Sequence, residues 1–264
     1  MQFMTSGDKG SPAVLLIHGM LSSGSDPLVF GQYLSDEYYV IIPTLDGHGD
    51  DGSELVSAEA EAKKLTAYLK ENGIRTLALI QGSSMGAEVA LAVLDECIRS
   101  GIDVGHCFFD GGPFFDFHPV KRFFMKLVFR RLVKAFEGDP DKAFDRLGGN
   151  MFVKFVAGDK IREYEPLLRS MAKERRTFTK KTVDGMVKTC YNCALPDLDC
   201  DMQRRMVFFF SREEPARQSK PRLKRAYPCA VYRDIKGYAH CLLQFKKPKR
   251  YARLLKRVIK GERI

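Results

Sequence analysis

The sequence contains no tryptophan, and its 264 residues include only five histidines. Any site that needs an imidazole must therefore draw on His18, His48, His106, His118 or His240. Long apolar runs are missing too. The longest, such as Ala13–Ile17, Leu77–Ile80 and Met206–Phe210, fall far short of the roughly 18 residues that a helical membrane span needs. Met1–Gly10 has no basic stretch followed by an apolar one, so no signal peptide is expected. Seven cysteines are too few for a disulfide scaffold of this length, and their number is odd. Without an export signal, they are expected to be reduced thiols in a cytoplasmic protein. Glycine is not in excess, and 45% of residues are apolar, which excludes collagen-like and disordered classes. A chain of this length can bury roughly three-quarters of its surface, enough for one large core.

Acidic residues are scarce in one part of the chain only. Residues 206–264 hold 17 Lys and Arg against 4 Asp and Glu, and residues 114–205 hold 20 against 13. Residues 1–113 reverse the balance, with 6 against 16. The formal +10 is therefore a polarity along the chain, and its meaning depends on the fold.

Short apolar runs alternate with longer helix-like segments. Strands are predicted at 12–18, 38–43, 76–81 and 104–110, with helices between them over 26–35, 53–70 (capped by Ser53) and 87–99. This alternation is the signature of a mostly parallel sheet with helices on both faces. It breaks at Gly111-Gly112-Pro113, where a basic, helical stretch runs to about residue 201. Strands then resume at 205–211 and 228–235, and a final helix is predicted from about His240 to Ile259. The expected organisation is a core of residues 1–113 and 202–264, with a helical insertion over 114–201.

Gly82-x-Ser84-x-Gly86 lies between a predicted strand and a predicted helix. There it fits a nucleophile elbow, a sharp turn that needs small neighbours and exposes its central oxygen above the sheet. A tight turn with a merely small residue at Ser84 is the plainer alternative, and the flanking strand and helix argue against it. His18-Gly19-Met20 closes the first strand, so the amides of Met20 and Met85 are candidates for an oxyanion hole. The His18 side chain is read as a brace for that turn. His240 follows the last strand and is the candidate general base.

With these residues the chain resembles the α/β-hydrolase superfamily, in particular its bacterial carboxylesterase and monoacylglycerol-lipase-like members. The matching pieces are His18-Gly19, Asp46-Gly47-His48-Gly49, Gly82-Ser83-Ser84-Met85-Gly86 and Gly237-Tyr238-Ala239-His240. The insertion looks like the variable lid of that family. The resemblance implies an acid between Ser84 and His240 in chain order. Where members often carry Gly-x-x-Asp-Pro, this chain has Ser211-Arg212-Glu213-Glu214-Pro215, which puts Glu214 in the aspartate's place. Glu213, one register away, and Asp110, after the strand that follows the nucleophile helix, are the rivals. The resemblance implies a serine hydrolase of carboxylic esters, acting through an acyl-enzyme on Ser84 without a cofactor. A thioesterase, an amidase, a lyase of the menaquinone-pathway type or a non-catalytic binding protein would share the fold.

The insertion is rich in phenylalanine. Phe114, Phe115, Phe117, Phe123 and Phe124 are expected to line the substrate site and to favour an apolar acyl group. Val120–Phe136 spaces Arg122, Lys126, Arg130 and Lys134 four apart, opposite a broad apolar face. It reads as a lid helix that turns its apolar face to the cleft and its basic face to water, with weak association to anionic membranes as a compatible role. No Lys/Arg motif with interleaved stacking aromatics supports nucleic acid as a partner. A small-molecule ester is the expected partner, and the oligomeric state is open. Asp46, His48, Asp50 and Asp51 read as a solvated turn rather than metal ligands. Cys190, Cys193 and Cys200 lack the paired spacing of a zinc site and read as thiols. Cys241, beside His240, is a candidate for oxidation or alkylation.

Overall fold

The computed structural model describes residues 1–136, 139, 142–173 and 177–264. Seven strands form one sheet: β1 (Gln2–Ser6), β2 (Ala13–Ile17), β3 (Tyr39–Thr44), β4 (Thr76–Ser83), β5 (Asp103–Asp110), β6 (Met206–Ser211) and β7 (Val231–Ile235), in spatial order β1-β3-β2-β4-β5-β6-β7. All neighbours pair in parallel except β1, which runs antiparallel along β3. Among these, β2, β3 and β6 are buried at every residue, and their apolar runs are what a sheet covered on both faces requires.

Successive strand residues feed two different cores. Leu15, Ile17, Ile80 and Phe109 pack with helices α2 (Ala58–Glu71) and α3 (Met85–Arg99), through residues such as Leu65 and Val89. Val14, Leu16, Leu79 and Phe108 point the other way, toward α1 (Ser25–Gly31) and the C-terminal helix, through Phe30 and Tyr251. The expected α/β organisation is therefore present, with corrections at its margins. Ser57, not Ser53, caps α2 by accepting from the Ala60 amide, while the Ser53 hydroxyl accepts from the Gly47 amide.

Between β5 and β6 the described chain is helical: α4 (Pro119–Phe136), α5 (Ala143–Gly149), α6 (Met151–Ala157), a 3-10 turn (Gly158–Tyr164), α7 (Glu165–Lys173), α8 (Lys180–Tyr191) and α9 (Cys200–Arg204). After β6 come a 3-10 turn (Pro215–Ser219) and α10 (Lys220–Ala226). The predicted terminal helix is two helices, α11 (Leu242–Lys246) and α12 (Pro248–Ile259). The proline explains the break, because it lacks the N–H that an uninterrupted helix would use.

Two expectations about polar residues fail. Cys200 is joined to Cys229 in a disulfide, so these two are not reduced thiols, whereas Cys190 and Cys193 are buried free thiols. Asp46 and His48 are wholly buried rather than solvated: Lys64 reaches in to the Asp46 carboxylate, and His48 Nδ1 lies 3.0 Å from the Asp46 carbonyl. The charge polarity is also less clean across the sheet than the chain order suggests. Although β6 and β7 lie at the edge away from β1, the basic α12 crosses back onto α1, and Lys256 pairs with Glu37 at 2.6 Å. No helix among the described residues is long and apolar enough to cross a membrane.

Candidate active site

Ser84 stands at the sharp turn between β4 and α3 with φ +53° and ψ −126°, a conformation that costs a side-chain-bearing residue about 1–3 kcal/mol. Two glycines make the turn possible. A Cβ on Gly82 would come 2.1 Å from the Gly86 carbonyl oxygen, and one on Gly86 would come 2.3 Å from the His18 carbonyl oxygen. The turn is anchored from below by the Ser84 amide, which donates to the Asp110 carbonyl at 2.7 Å.

His240 Nε2 lies 2.9 Å from Ser84 Oγ, and His240 Nδ1 lies 2.5 Å from Glu214 Oε2. Because the carboxylate can only accept, Nδ1 is the donor, and the lone pair of Nε2 faces the serine hydroxyl. Glu214 is fixed in turn, since its other oxygen accepts from the Ser211 amide at 2.6 Å. The loop carrying the histidine is tied to the same residue, because the Ser211 hydroxyl donates to the Tyr238 carbonyl. Burial pushes the His240 imidazole down, but the hydrogen bond and charge of Glu214 outweigh it, and the net shift is upward from 6.5. The carboxylate's approach also needs Gly111, at φ +65°, where a Cβ would stand 2.9 Å from both Glu214 Oε2 and the imidazole.

Of the three acids weighed from sequence, Glu214 is the one brought to His240. Glu213 is exposed, and its carboxylate lies 3.0 Å from Ser211 Oγ, away from the imidazole. Asp110 is buried and accepts from the Tyr251 hydroxyl at 2.8 Å. Burial first, and the nearby Glu214 charge second, raise Asp110 to about 7. Its tyrosine belongs to a buried network unnoticed in the sequence: the Gln81 amide reaches Tyr251 Oη at 3.2 Å and Ser83 Oγ at 2.8 Å, and Ser83 donates to Gln244 at 3.0 Å. These partners lie up to 170 residues apart, so no local pattern marks them.

Met85 opens α3 directly after Ser84, and Met20 lies at the cavity wall. The chain leading to Met20 runs against the serine turn, for a Cβ on Gly19 would stand 3.2 Å from the Cβ of Ser84. His18 holds that chain in place. Its Nε2 accepts from the Leu45 amide at 3.0 Å, so Nδ1 carries the proton toward the Gly19 carbonyl at 2.7 Å.

Ser84 and His240 sit at the wall of a cavity of about 620 Å³. Most of its lining is apolar and comes from the segment between β5 and β6: Phe115 and Phe117 from the loop before α4, and Met125, Phe129, Leu132 and Phe152 from the helices. Cys241 lines it too, with Sγ 3.8 Å from His240 Nε2. Two expected lining residues are elsewhere. Phe114, at φ +41°, turns into the core between Phe109 and Phe208 and is wholly buried. Phe123 is 58% exposed on the outer side of α4, because helical spacing puts Met125, Phe129 and Leu132 on the inner side instead. Phe124 is likewise on the outside, whereas Phe115 and Phe117 do line the cavity.

The model of the alpha/beta hydrolase family matches residues 14–254. No curated protein matches the chain. Among solved structures, an alpha/beta hydrolase family protein from Desulfitobacterium hafniense is similar at 21% identity and TM-score 0.76, over 98% of this chain and 100% of that one. A thermophilic esterase from Thermogutta terrifontis is similar at 17% identity and TM-score 0.74, over 98% and 92% of the two chains. A bromoperoxidase from Bacillus anthracis, at 17% identity and TM-score 0.72, covers 98% of this chain over 94% of its own. At these identities the likeness is one of fold.

Proposed function

From the premise that the chain belongs to the alpha/beta hydrolase family, we propose that it hydrolyses carboxylic esters through an acyl-enzyme on Ser84. The observation that carries this reading is the unbroken series from Ser84 Oγ through His240 to Glu214, at 2.9 and 2.5 Å, beside an apolar cavity. In the first half-reaction Ser84 Oγ attacks the ester carbonyl and its proton passes to His240 Nε2. The amides of Met20 and Met85 receive the oxyanion, aided by the N-terminus of α3. His240 then gives the proton to the departing alkoxide, leaving an alcohol and the acyl-serine. In the second half-reaction water loses a proton to His240 and attacks the acyl carbonyl. The proton returns to Ser84 Oγ as the acid leaves. Glu214 holds the imidazole in the required tautomer and stabilises its protonated form.

The apolar lining supports an acyl group that is itself apolar. On a series of aryl esters, activity is expected to rise from acetate toward medium chains; a steady fall from acetate removes this part of the reading. Ser84→Ala is expected to abolish both ester hydrolysis and labelling by a fluorophosphonate probe. Labelling retained on another serine would overturn the assignment.

A further inference from the structure

Helix α4 has two apolar sides, and only one of them faces the protein. Met125, Phe129, Leu132 and Phe136 turn inward to the cavity. Val120, Phe123, Phe124 and Leu127 follow one another at spacings of three, one and three, which places them on a single outer stripe. They are 59%, 58%, 59% and 39% exposed. Isolated exposed apolar residues are normal on a protein surface, but a contiguous group is a mark of interaction. Here the group is contiguous along one helix. On α6, Met151 and Phe155 are also exposed, by 84% and 59%, and line the cavity.

The charge on α4 narrows the choice of partner. The helix carries six Lys and Arg and no acidic residue. Lys126 and Arg130 are engaged by Asp184 of α8 on the flank of the helix. Arg131 and Lys134 continue the outer stripe toward the C-terminal end, are exposed, and have no ion pair among the described residues. An outer face that is bulky and apolar at one end and purely cationic at the other matches the layered chemistry of an anionic bilayer surface. There the apolar side chains enter the headgroup and acyl boundary while the cations meet lipid phosphates.

We propose that the outer face of α4 docks on anionic lipid bilayers and holds the cavity-lining helices against the lipid. This surface is independent of the reaction at Ser84, so Ser84→Ala protein is expected to bind vesicles as the unaltered protein does. The test is co-sedimentation of the full chain with vesicles of phosphatidylcholine alone, or mixed with phosphatidylglycerol, at low and high salt. Binding is expected with the anionic vesicles at low salt, with strong weakening as salt screens the contacts. Phe124→Ser/Leu127→Ser and Arg131→Glu/Lys134→Glu are each expected to lower the partition coefficient at least about tenfold, since one cation near such a surface is worth about a fivefold change. Both variants should keep the unaltered rate on a water-soluble short-chain ester, which shows that they are folded. No binding to anionic vesicles at low salt would overturn the proposal, as would equal binding to phosphatidylcholine alone. Sedimentation equilibrium covers the other occupant of the stripe: a dimer of this chain that Phe124→Ser/Leu127→Ser dissociates would overturn it as well.

Discussion

The hydroxyl of Tyr164 donates to the backbone carbonyl of His240 at 2.5 Å. Tyr164 ends the 3-10 turn that follows α6, so the helices over the cavity are fastened to the backbone of the candidate base itself. Burial pushes the phenol far above its ordinary value, which keeps the proton available for this bond. Any movement of these helices away from the cavity must break it or carry His240 along.

Tyr164→Phe keeps the ring and removes only the donor. The expected loss of stability is about 1 kcal/mol, the net value of one hydrogen bond. A backbone freed at His240 is expected to lower kcat by roughly three- to tenfold through poorer orientation of the imidazole. Urea unfolding and steady-state kinetics on the same preparation read the two effects separately.

Glu214→Gln and Asp110→Asn are expected to differ sharply. The first removes the charge 2.5 Å from Nδ1 and permits the wrong imidazole tautomer, for a kcat loss of about 10²- to 10⁴-fold. The second leaves the Ser84-His240-Glu214 series intact and is expected to keep kcat within about fivefold. The pH profile adds a signature. Catalysis needs neutral His240, so the rate falls as pH drops through its pKa, and in the unaltered protein that midpoint lies above 6.5. Without the Glu214 charge, burial is opposed only by the nearby Asp110 charge, and the residual activity should show a midpoint shifted to lower pH.

Much of this arrangement is legible from local pattern. Residues 76–99 pass from apolar strand through Gly-x-Ser-x-Gly to helix, and that succession dictates both the turn and the place of Ser84. The last histidine follows the last strand, and the fold carries it to the serine 156 residues away. What was not legible depends on partners distant in sequence. Strand β1 has a mixed, largely exposed pattern and exists through its pairing with β3. Asp110 ends β5 and Glu214 follows the end of β6, its neighbour in the sheet, so chain position alone does not say which carboxylate meets the imidazole. The phenylalanines after residue 113 sort into core, cavity and surface by backbone turn and helix rotation, which composition does not encode.

Asp110 also shapes stability against pH. Its carboxyl is raised from 3.8 to about 7 in the fold, so the folded state holds its proton more tightly than the unfolded chain. The stability it contributes is complete below about pH 4 and is lost as pH rises through about 7. Asp110→Asn removes this dependence while the amide can still accept from Tyr251. The difference in unfolding free energy, unaltered protein minus variant, is expected to fall by about 2 kcal/mol between pH 5 and pH 8. Urea denaturation at the two pH values measures it, and an unchanged difference contradicts the buried, proton-holding state of Asp110.

The glycines around Ser84 predict opposite outcomes for the same substitution. In a helix, Gly→Ala is ordinarily stabilising by about 1 kcal/mol, because alanine has less backbone freedom to lose. Gly148, in α5, has no atom within 4 Å of an added Cβ, so Gly148→Ala is expected to follow that rule. Gly86 is also helical, in the first turn of α3, but its added Cβ would meet the backbone oxygens of His18 and Ile17 at 2.3 and 2.5 Å. Backbone atoms at the end of β2 cannot move aside as a flexible side chain would. Gly86→Ala is therefore expected to destabilise by about 2–4 kcal/mol, within the range for overpacking and strain in a core. It should also push the Ser84 turn away from Met20, lowering kcat further than the stability loss alone would. Thermal unfolding of the two alanine variants beside the unaltered protein decides the matter: a Gly86→Ala protein as stable as Gly148→Ala would mean that the close approach of α3 to β2 is not what holds Ser84 in its strained conformation.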